Sequence, residues 1–141
     1  SGTSLGSTLL LNHNILGNEI NFKQTDSFLG PEYNDQQIET ELKKQNQNYT
    51  KKNYDEIYEN VCDLLVKDKI VGWHQGRMEF GPRALGNRSF LASPFNSEMK
   101  DILNKRVKFR ESFRPFAAIV LEEDAGKYFD HPEPNPYMLL V

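Results

Sequence analysis

The chain has 141 residues, of which 38% are hydrophobic, 11% aromatic and 26% charged, a composition typical of one globular domain. Its formal net charge of −3 excludes the overall basic balance that an extended nucleic-acid surface usually requires. The longest apolar run near the start is three leucines, far below the roughly 18 apolar residues of a membrane span, so we expect no signal peptide and no membrane partner.

Cysteine and histidine usage points away from disulfides and metal sites. Cys62 is the single cysteine and cannot form an internal disulfide, which is typical of a reducing compartment. The three histidines, His13, His74 and His131, are scattered without the spacing of metal ligands. We therefore expect a cytoplasmic protein with no metal ion held by its own side chains.

The first third of the chain predicts a loop, a linker and one helix. Residues 1–11 begin with glycine and serine and then become apolar, which predicts a glycine-rich loop running into a short helix. Residues 15–33 mix Asn, Gly, Asp and Pro, which is typical of a linker. Two apolar residues four apart then follow Asn34 or Asp35, either of which can cap a helix that ends near Lys44.

The middle of the chain predicts a helix followed by a strand. Asn53 can cap this helix, and its apolar residues recur at helical spacing. Those residues are Ile57, Val61, Leu64 and Leu65. Residues 70–75 are β-branched and aromatic, which predicts a short strand.

The remaining predicted elements frame a loop rich in glycine and arginine. Glycine and proline break regular structure at 76–88, and residues 89–92 predict a strand. Asn96 or Ser97 can cap a helix that continues to about Val107. The last predicted elements are a buried strand at 116–121, a short helix at 122–129 and a strand at 137–141.

The charges are unevenly distributed. All six arginines lie between positions 77 and 114. That segment holds nine basic and four acidic residues, a net charge of +5, so the remainder of the chain carries −8. A basic block within an acidic chain favours a local site for a small anion over an extended nucleic-acid surface.

The arginines alternate with glycine, proline and phenylalanine and lack helical periodicity. A guanidinium group offers a planar fork of donors to phosphate or carboxylate oxygens, and glycines let backbone N–H groups reach the same anion. We expect four phenylalanines to support the guanidinium groups, namely Phe80, Phe109, Phe113 and Phe116. Glu79 and Glu111 can each orient an arginine, while Asn104 and Lys108 share a predicted helix face. The alternative is that the arginines only pair with the acidic remainder of the chain on a solvated surface.

A long motif makes the chain resemble a known family. The sequence Gly-Arg-Met-Glu-Phe-Gly-Pro-Arg-Ala-Leu-Gly-Asn-Arg-Ser at 76–89 is followed by Leu-Asn at 103–104, Lys-Phe-Arg-Glu at 108–111 and Phe-Arg-Pro-Phe-Ala at 113–117. This series resembles the carboxy-terminal part of the nodulation-type and antibiotic-type O-carbamoyltransferases. Residues 1–9 and 28–33 look like segments that precede it in the family. The resemblance implies that residues 1–33 are the tail of an ATPase-like domain and its linker, and that 34–141 are the carboxy-terminal domain, truncated at its end.

The resemblance implies a two-part enzyme. An amino-terminal domain of the actin/Hsp70-like class transfers the carbamoyl group to an acceptor hydroxyl, and the carboxy-terminal domain is similar to threonylcarbamoyl-adenylate synthase. For this chain it implies an α+β fold, with a twisted mixed β-sheet, flanking helices and a basic cavity. Carbamoyl phosphate and ATP would react there to give carbamoyl adenylate and pyrophosphate, with Mg²⁺ held mainly by the phosphates.

The resemblance also implies roles for nine residues of the motif. Catalytic roles are expected for Arg77, Arg83 and Lys108. Substrate binding is expected of Arg88, Ser89, Asn104, Arg110 and Arg114. Glu79 is expected to orient the arginines. Because the family has further segments on both sides, we expect the isolated chain to bind its ligands without completing turnover.

Two other functions fit the same residues. A non-catalytic module could bind a nucleotide or RNA through the arginines, and RNA affinity would fall steeply with salt. A structural domain could use the arginines only to contact the ATPase-like partner domain, and it would bind no small ligand. We favour the carbamoyltransferase over both and do not expect nucleic acid to be the partner.

Overall fold

The computed structural model describes residues 2–131 and 133–140, and short elements of regular structure are spread along this chain. In chain order they are α1 (Gly2–Leu10) with a π-helical turn at Leu11–Ile15, α2 (Asp35–Lys44), α3 (Tyr54–Val66), β1 (Val71–His74), β2 (Arg88–Leu91), α4 (Met99–Leu103) with a π-helical turn at Asn104–Lys108, a 3-10 turn at Glu122–Asp124, and α5 (Ala125–Tyr128). Helices and a pair of antiparallel strands make the fold α+β, as predicted.

The described chain begins as helix α1, so the predicted glycine-rich loop at its start is wrong, whereas the short helix predicted after that loop is confirmed. The Ser7 and Thr8 hydroxyls each donate a hydrogen bond of 3.0 Å to the Ser4 carbonyl. This bonding to the preceding turn satisfies the small polar side chains, so the segment remains helical despite its serines and glycines. The prediction also included Ser1, which lies outside the described residues.

Reciprocal hydrogen bonds fix the starts of α2 and α3. The Asn34 side-chain oxygen accepts from the Gln37 N–H (2.9 Å), and the Asn34 N–H donates to the Gln37 side chain (3.0 Å). Asn53 and Glu56 repeat this arrangement at 2.9 and 3.1 Å. Both predicted helices are confirmed, and α2 ends at Lys44 as predicted.

The two strands pair antiparallel, and α3 covers one face of the pair. Val71 lies opposite Leu91 and Trp73 opposite Ser89. The Trp73 ring centroid is 6.3 Å from that of Tyr58 in α3. Because side chains alternate between the faces of a strand, a second set lies on the opposite, open face. That set is Gly72, His74, Arg88 and Phe90. Both strands confirm the predictions at 70–75 and 89–92.

Helix α4 begins slightly later than predicted. The Asn96 side-chain oxygen accepts from the Glu98 N–H (2.9 Å), and the Asn96 carbonyl accepts from the Met99 N–H (3.0 Å). Asn96 therefore closes a turn before the helix, which starts at Met99. The predicted extension to Val107 is confirmed, because the π-helical turn continues through it.

The strand predicted at 116–121 is wrong. These residues have no strand partner among the described residues, and Ile119 and Leu121 remain 73% and 64% exposed. The sheet of the described residues therefore consists of two antiparallel strands, and the predicted twisted mixed sheet is not seen there. The short helix predicted at 122–129 is confirmed as a 3-10 turn followed by α5.

The strand predicted at 137–141 is a turn in its described part. The Asn135 side-chain oxygen accepts from the Leu139 N–H (3.0 Å), and its amide donates to the Leu140 carbonyl (2.7 Å). These local bonds replace the pairing that a strand would need. Val141 lies outside the described residues.

Few apolar side chains are buried. Met99 and Leu103 of α4 are 4% and 6% exposed, and the buried polar residues are Ser27, Glu79, Ser93 and Asn104. The accessible surface is 11,729 Å², against about 7,500 Å² expected for a compact chain of 16.3 kDa. Much apolar surface is therefore open to solvent. Within residues 2–131 and 133–140, every helix is too short or too polar to cross a membrane.

Candidate anion-binding site

The arginine loop, residues 76–88, connects β1 to β2. Gly76 and Gly86 adopt φ angles of 52° and 107°, in the left-handed region that favours glycine. The Asn87 side-chain amide crosses the base of the loop and donates to the Arg77 carbonyl at 2.6 Å. Two glycines and one side-chain amide thus set where the chain turns.

A buried carboxylate fixes the far side of the arginine loop. Glu79 Oε1 accepts from the backbone N–H groups of Leu85, Asn87 and Arg88 at 2.7, 2.9 and 3.1 Å. Glu79 Oε2 accepts from Arg88 Nε at 3.0 Å, and the same guanidinium donates to the Glu79 carbonyl at 2.8 Å. The Glu79 side chain is 1% exposed. We call this arrangement the Glu79 clamp.

The clamp keeps the carboxyl group ionised. Burial raises the pKa of Glu79, but the hydrogen bonds from the Leu85 N–H, the Arg88 guanidinium and the Asn87 N–H outweigh it and bring the pKa to about 2. A carboxylate that is ionised at neutral pH and occupied on both oxygens has no proton to donate. These contacts suit a residue that orients the loop and do not suit a general acid.

The two catalytic candidates of the loop differ in their contacts. Arg77 turns back to an earlier segment, where its Nε donates to the Gly30 carbonyl (3.1 Å) and a terminal nitrogen donates to the Leu29 carbonyl (3.4 Å). Arg83 is exposed and has neither a hydrogen bond nor an ion pair with any described residue. Its guanidinium is free to bind an anion.

A second buried side chain organises the segment after α4. Asn104 is 1% exposed, and its amide donates to the carbonyls of Ser112 (3.3 Å) and Arg114 (3.0 Å). Its side-chain oxygen accepts from Arg110 Nε at 2.7 Å. The Arg110 guanidinium also lies 4.6 Å from the Phe116 ring centroid, so Phe116 is the apolar support that was predicted. We call this arrangement the Asn104 cluster.

Lys108 lies over the open face of the strand pair. Its Nζ is 4.8 Å from the Phe90 ring centroid. Because Phe90 and Arg88 share that face, the structure brings Lys108 and Arg88 to the same side of the sheet. Ser89 belongs to the opposite face, and its hydroxyl accepts from the Gly86 N–H at 3.0 Å.

Asn104 and Lys108 contact different partners, although both belong to one π-helical turn. The Asn104 amide points into the chain segment that follows, whereas the Lys108 ammonium reaches β2. The two side chains therefore do not meet at one point. The turn instead connects the Asn104 cluster with the face that carries Arg88.

The Asn104 cluster borders a shallow depression of about 510 Å³ that opens to solvent. It is lined by Lys105, Phe109, Arg110, Glu111 and Ser112. Arg114 NH1 is 3.9 Å from Glu111 Oε2, and because both side chains are more than half exposed this pair contributes little stability. The depression is open to solvent, so the predicted basic cavity is not confirmed. In the part of the chain that the structure describes, no three acidic, cysteine or histidine side chains are grouped to hold a metal ion.

Comparison with known proteins assigns the family. The family described as carbamoyltransferase C-terminus matches residues 62–141, more than half of the chain. The chain belongs to this family. The predicted resemblance is thereby confirmed, and the match includes the arginine loop and the Asn104 cluster of this carbamoyltransferase C-terminus domain.

Relatives of this domain include much longer proteins. An uncharacterised protein of Synechocystis sp. is 42% identical over the whole chain, which spans 24% of its length. Nodulation protein NolO of Bradyrhizobium diazoefficiens is 40% identical, again over the whole chain and over 26% of its own length. A 3′-hydroxymethylcephem-O-carbamoyltransferase of Streptomyces clavuligerus is 51% identical over 56% of the chain and 15% of that protein. The chain thus spans about a quarter of the first two relatives.

Sequence reasoning missed three contributors to the candidate site. Asn87 lies inside the quoted motif, and Phe90 alternates with Arg88 on a predicted strand, so a local signal existed for both. The contact of Arg77 with residues 29–30 spans 47 positions and has no local signal.

Proposed function

We propose that this chain is the domain of an O-carbamoyltransferase in which carbamoyl phosphate and ATP are converted to carbamoyl adenylate. Balancing the atoms requires one water. Water cleaves the bond between the carbamoyl group and the phosphate of carbamoyl phosphate, which gives phosphate and carbamate. A carbamate oxygen then bonds to the α-phosphorus of ATP as the bond from the α-phosphate to the pyrophosphate group breaks and pyrophosphate leaves. Family membership supports the carbamoyl chemistry. The arginine-rich segment supports the choice of phosphate-bearing substrates.

One observation carries this proposal. Arg83 is exposed and unpaired in the described chain, and it belongs to a loop whose backbone is fixed by the buried Glu79 carboxylate. A guanidinium that no protein group occupies can bind an anion without first giving up a hydrogen bond or an ion pair. Arg83 is therefore our first candidate for a ligand of the departing pyrophosphate.

The other basic residues suit the approach of two polyanions. Arg88 and Lys108 share the open face of the strand pair, and Arg110 and Arg114 belong to the Asn104 cluster. Lys108 and Arg110 have no acidic partner among the described residues, so their charges reduce the repulsion between carbamoyl phosphate and ATP. The charge of Arg88, in contrast, is paired with Glu79. Mg²⁺ would enter with the phosphates as part of the substrate.

The proposal extends to fold, partner and location. We propose that the carbamoyltransferase C-terminus domain has a basic cavity within a twisted mixed sheet like that of threonylcarbamoyl-adenylate synthase. The carbamoyl adenylate would pass to an ATPase-like domain of the same protein, which recognises the acceptor hydroxyl. A cytoplasmic location suits an exposed free Cys62 and the use of ATP.

Calorimetric titration of the 141-residue chain with ATP and Mg²⁺ tests the proposal, with and without carbamoyl phosphate and at two salt concentrations. We expect saturable binding of one equivalent of ATP. Arg83→Gln should weaken it roughly tenfold or more, because it removes a charge-assisted hydrogen bond of about 1.5–3 kcal/mol. Arg106→Gln is the matched control, since Arg106 is also exposed and has no partner among the described residues.

Three results would contradict the proposal. The first is the absence of saturable heat at either salt concentration. The second is an equal loss of affinity in the Arg83 and Arg106 variants, which would indicate a diffuse charge effect. The third is a steep fall of affinity with salt together with tighter binding of long RNA, which would favour the nucleic-acid module.

A further inference from the structure

A segment far from the arginine loop in sequence is hydrogen-bonded to it. We call residues 27–31 the strap. The Gly30 N–H donates to the Met78 carbonyl (2.9 Å), and the Met78 N–H donates to the Pro31 carbonyl (3.0 Å). The Phe80 N–H donates to the Ser27 carbonyl at 2.7 Å. These three bonds hold the residues on both sides of Glu79.

The strap also holds the side chain of Arg77. The Gly30 and Leu29 carbonyls accept from its guanidinium at 3.1 and 3.4 Å. Both acceptors are neutral, so they restrict the side chain without cancelling its charge. Immobilising an arginine costs side-chain entropy, and an arginine that is already held in the free protein loses less of it when an anion binds.

Close contact with the loop requires glycine at position 30. A Cβ atom added to Gly30 would lie 2.7 Å from the Met78 carbonyl oxygen and 3.0 Å from Met78 Cβ. The first of these neighbours is backbone and cannot move without displacing the loop. A Cβ atom added to Gly6 would meet nothing within 4 Å.

The strap contacts the arginine loop through its backbone rather than through its side chains. Ser27 is 8% exposed, yet its hydroxyl has no hydrogen-bond partner among the described residues. The Asp26 side chain accepts from the Phe28 N–H at 2.9 Å, which preforms the turn that leads into the strap. The segment is therefore shaped to present carbonyl and N–H groups to the loop.

We propose that the strap belongs to the anion-binding site, where it positions Arg77 and the arginine loop, and that Gly30 is the positioning residue. This inference rests on the proposed function, because the anion is the phosphate or pyrophosphate group of the substrates. It adds to that function a structural dependence of the site on residues outside the family match at 62–141.

The experiment compares the unmodified chain with Gly30→Ala and with the control Gly6→Ala. Hydrogen exchange is measured without ligand at the N–H groups of Met78 and Phe80, which bond the strap, and of Leu85 and Asn87, which bond Glu79. Binding of inorganic pyrophosphate is measured by calorimetry. For Gly30→Ala we expect exchange at least tenfold faster at all four groups and an affinity at least fivefold lower, with both unchanged in Gly6→Ala.

The outcomes separate the strap from the proposed function. Faster exchange with unchanged pyrophosphate affinity would overturn the positioning role and leave the proposed function intact. If the unmodified chain binds no pyrophosphate, the proposed function fails together with the strap's place in an anion-binding site. Exchange then tests only whether the strap positions the arginine loop: unchanged rates in Gly30→Ala overturn that positioning and faster rates support it. If Gly30→Ala does not fold, the test is hydrogen exchange in the unmodified chain. Exchange of the Met78 and Phe80 N–H groups at the rate of an unstructured peptide would overturn the proposed role of the strap.

Discussion

Glu79 and Asn104 are matched chemically to the groups around them. Glu79 faces four N–H donors from Leu85, Asn87 and Arg88, and an ionised carboxylate accepts from all of them. Asn104 faces two carbonyls and one guanidinium, which need a side chain that both donates and accepts. An asparagine at position 79 would point its N–H groups at N–H donors. A glutamate at position 104 would point its carboxylate oxygens at carbonyl oxygens.

Replacing Glu79 with glutamine should destabilise the chain by about 1–3 kcal/mol, because one acceptor becomes an N–H group facing Arg88 Nε. Urea denaturation at pH 7 measures the effect. Glu59→Gln is the control, since Glu59 is exposed on α3 and has no partner among the described residues. Equal stability of Glu79→Gln and Glu59→Gln would contradict the clamp.

The depressed pKa of Glu79 predicts a loss of stability in acid. The pKa of Glu79 is about 2 in the folded state, against an ordinary value of 4.5 for an unperturbed glutamate, so the Glu79 contribution to stability is nearly complete above pH 4.5 and is lost as the pH falls towards 2. The contribution is on the order of 3 kcal/mol at most. The stability difference between the unmodified chain and Glu79→Gln should therefore shrink between pH 5 and pH 3. A difference that stays constant over this range would show that Glu79 does not titrate as the clamp requires.

At the scale of elements, local signals were sufficient for helices and insufficient for strands. Asn34 and Asn53 each accept a hydrogen bond from a backbone N–H three residues later. Such caps are visible in a short stretch of sequence, so the starts of α2 and α3 could be predicted. A strand needs a partner elsewhere in the chain, and residues 116–121 have a strand-like sequence without one. The predicted strands at 70–75 and 89–92 succeeded because the intervening loop brings them together.

The N-terminal cap of α3 should contribute measurably to the free energy of unfolding. Asn53→Ala removes the acceptor for the Glu56 N–H and should lower the free energy of unfolding by about 1 kcal/mol. Since α3 covers the strand pair through Tyr58 and Trp73, Trp73 fluorescence should report the transition. Asn48→Ala is the control, because Asn48 is exposed and unbonded among the described residues. A loss no larger than that of the control would contradict a stabilising cap.

At the scale of the whole molecule, the motif identified which residues form the candidate site but not how they are held. The arginines, Glu79 and Asn104 could be predicted from the residues at 76–117. The strap could not be predicted, because its hydrogen bonds join backbone groups about 50 positions apart. Every residue except proline has the same backbone donor and acceptor, so the pattern of side chains does not reveal which of them will pair. The placement of Lys108 over Phe90 likewise depends on how the π-helical turn meets β2.

The open surface predicts a shallow urea transition. An unfolded chain of 16.3 kDa exposes about 23,600 Å², so folding to 11,729 Å² buries about a quarter less surface than folding to the roughly 7,500 Å² of a compact domain. Because the slope of unfolding free energy against urea scales with the surface exposed, it should also be about a quarter lower than for compact domains of this length. Equilibrium denaturation at several protein concentrations measures the slope and controls for association. A slope equal to that of compact domains at every concentration would mean that the chain buries apolar residues such as Ile119 and Leu121, which this structure leaves exposed.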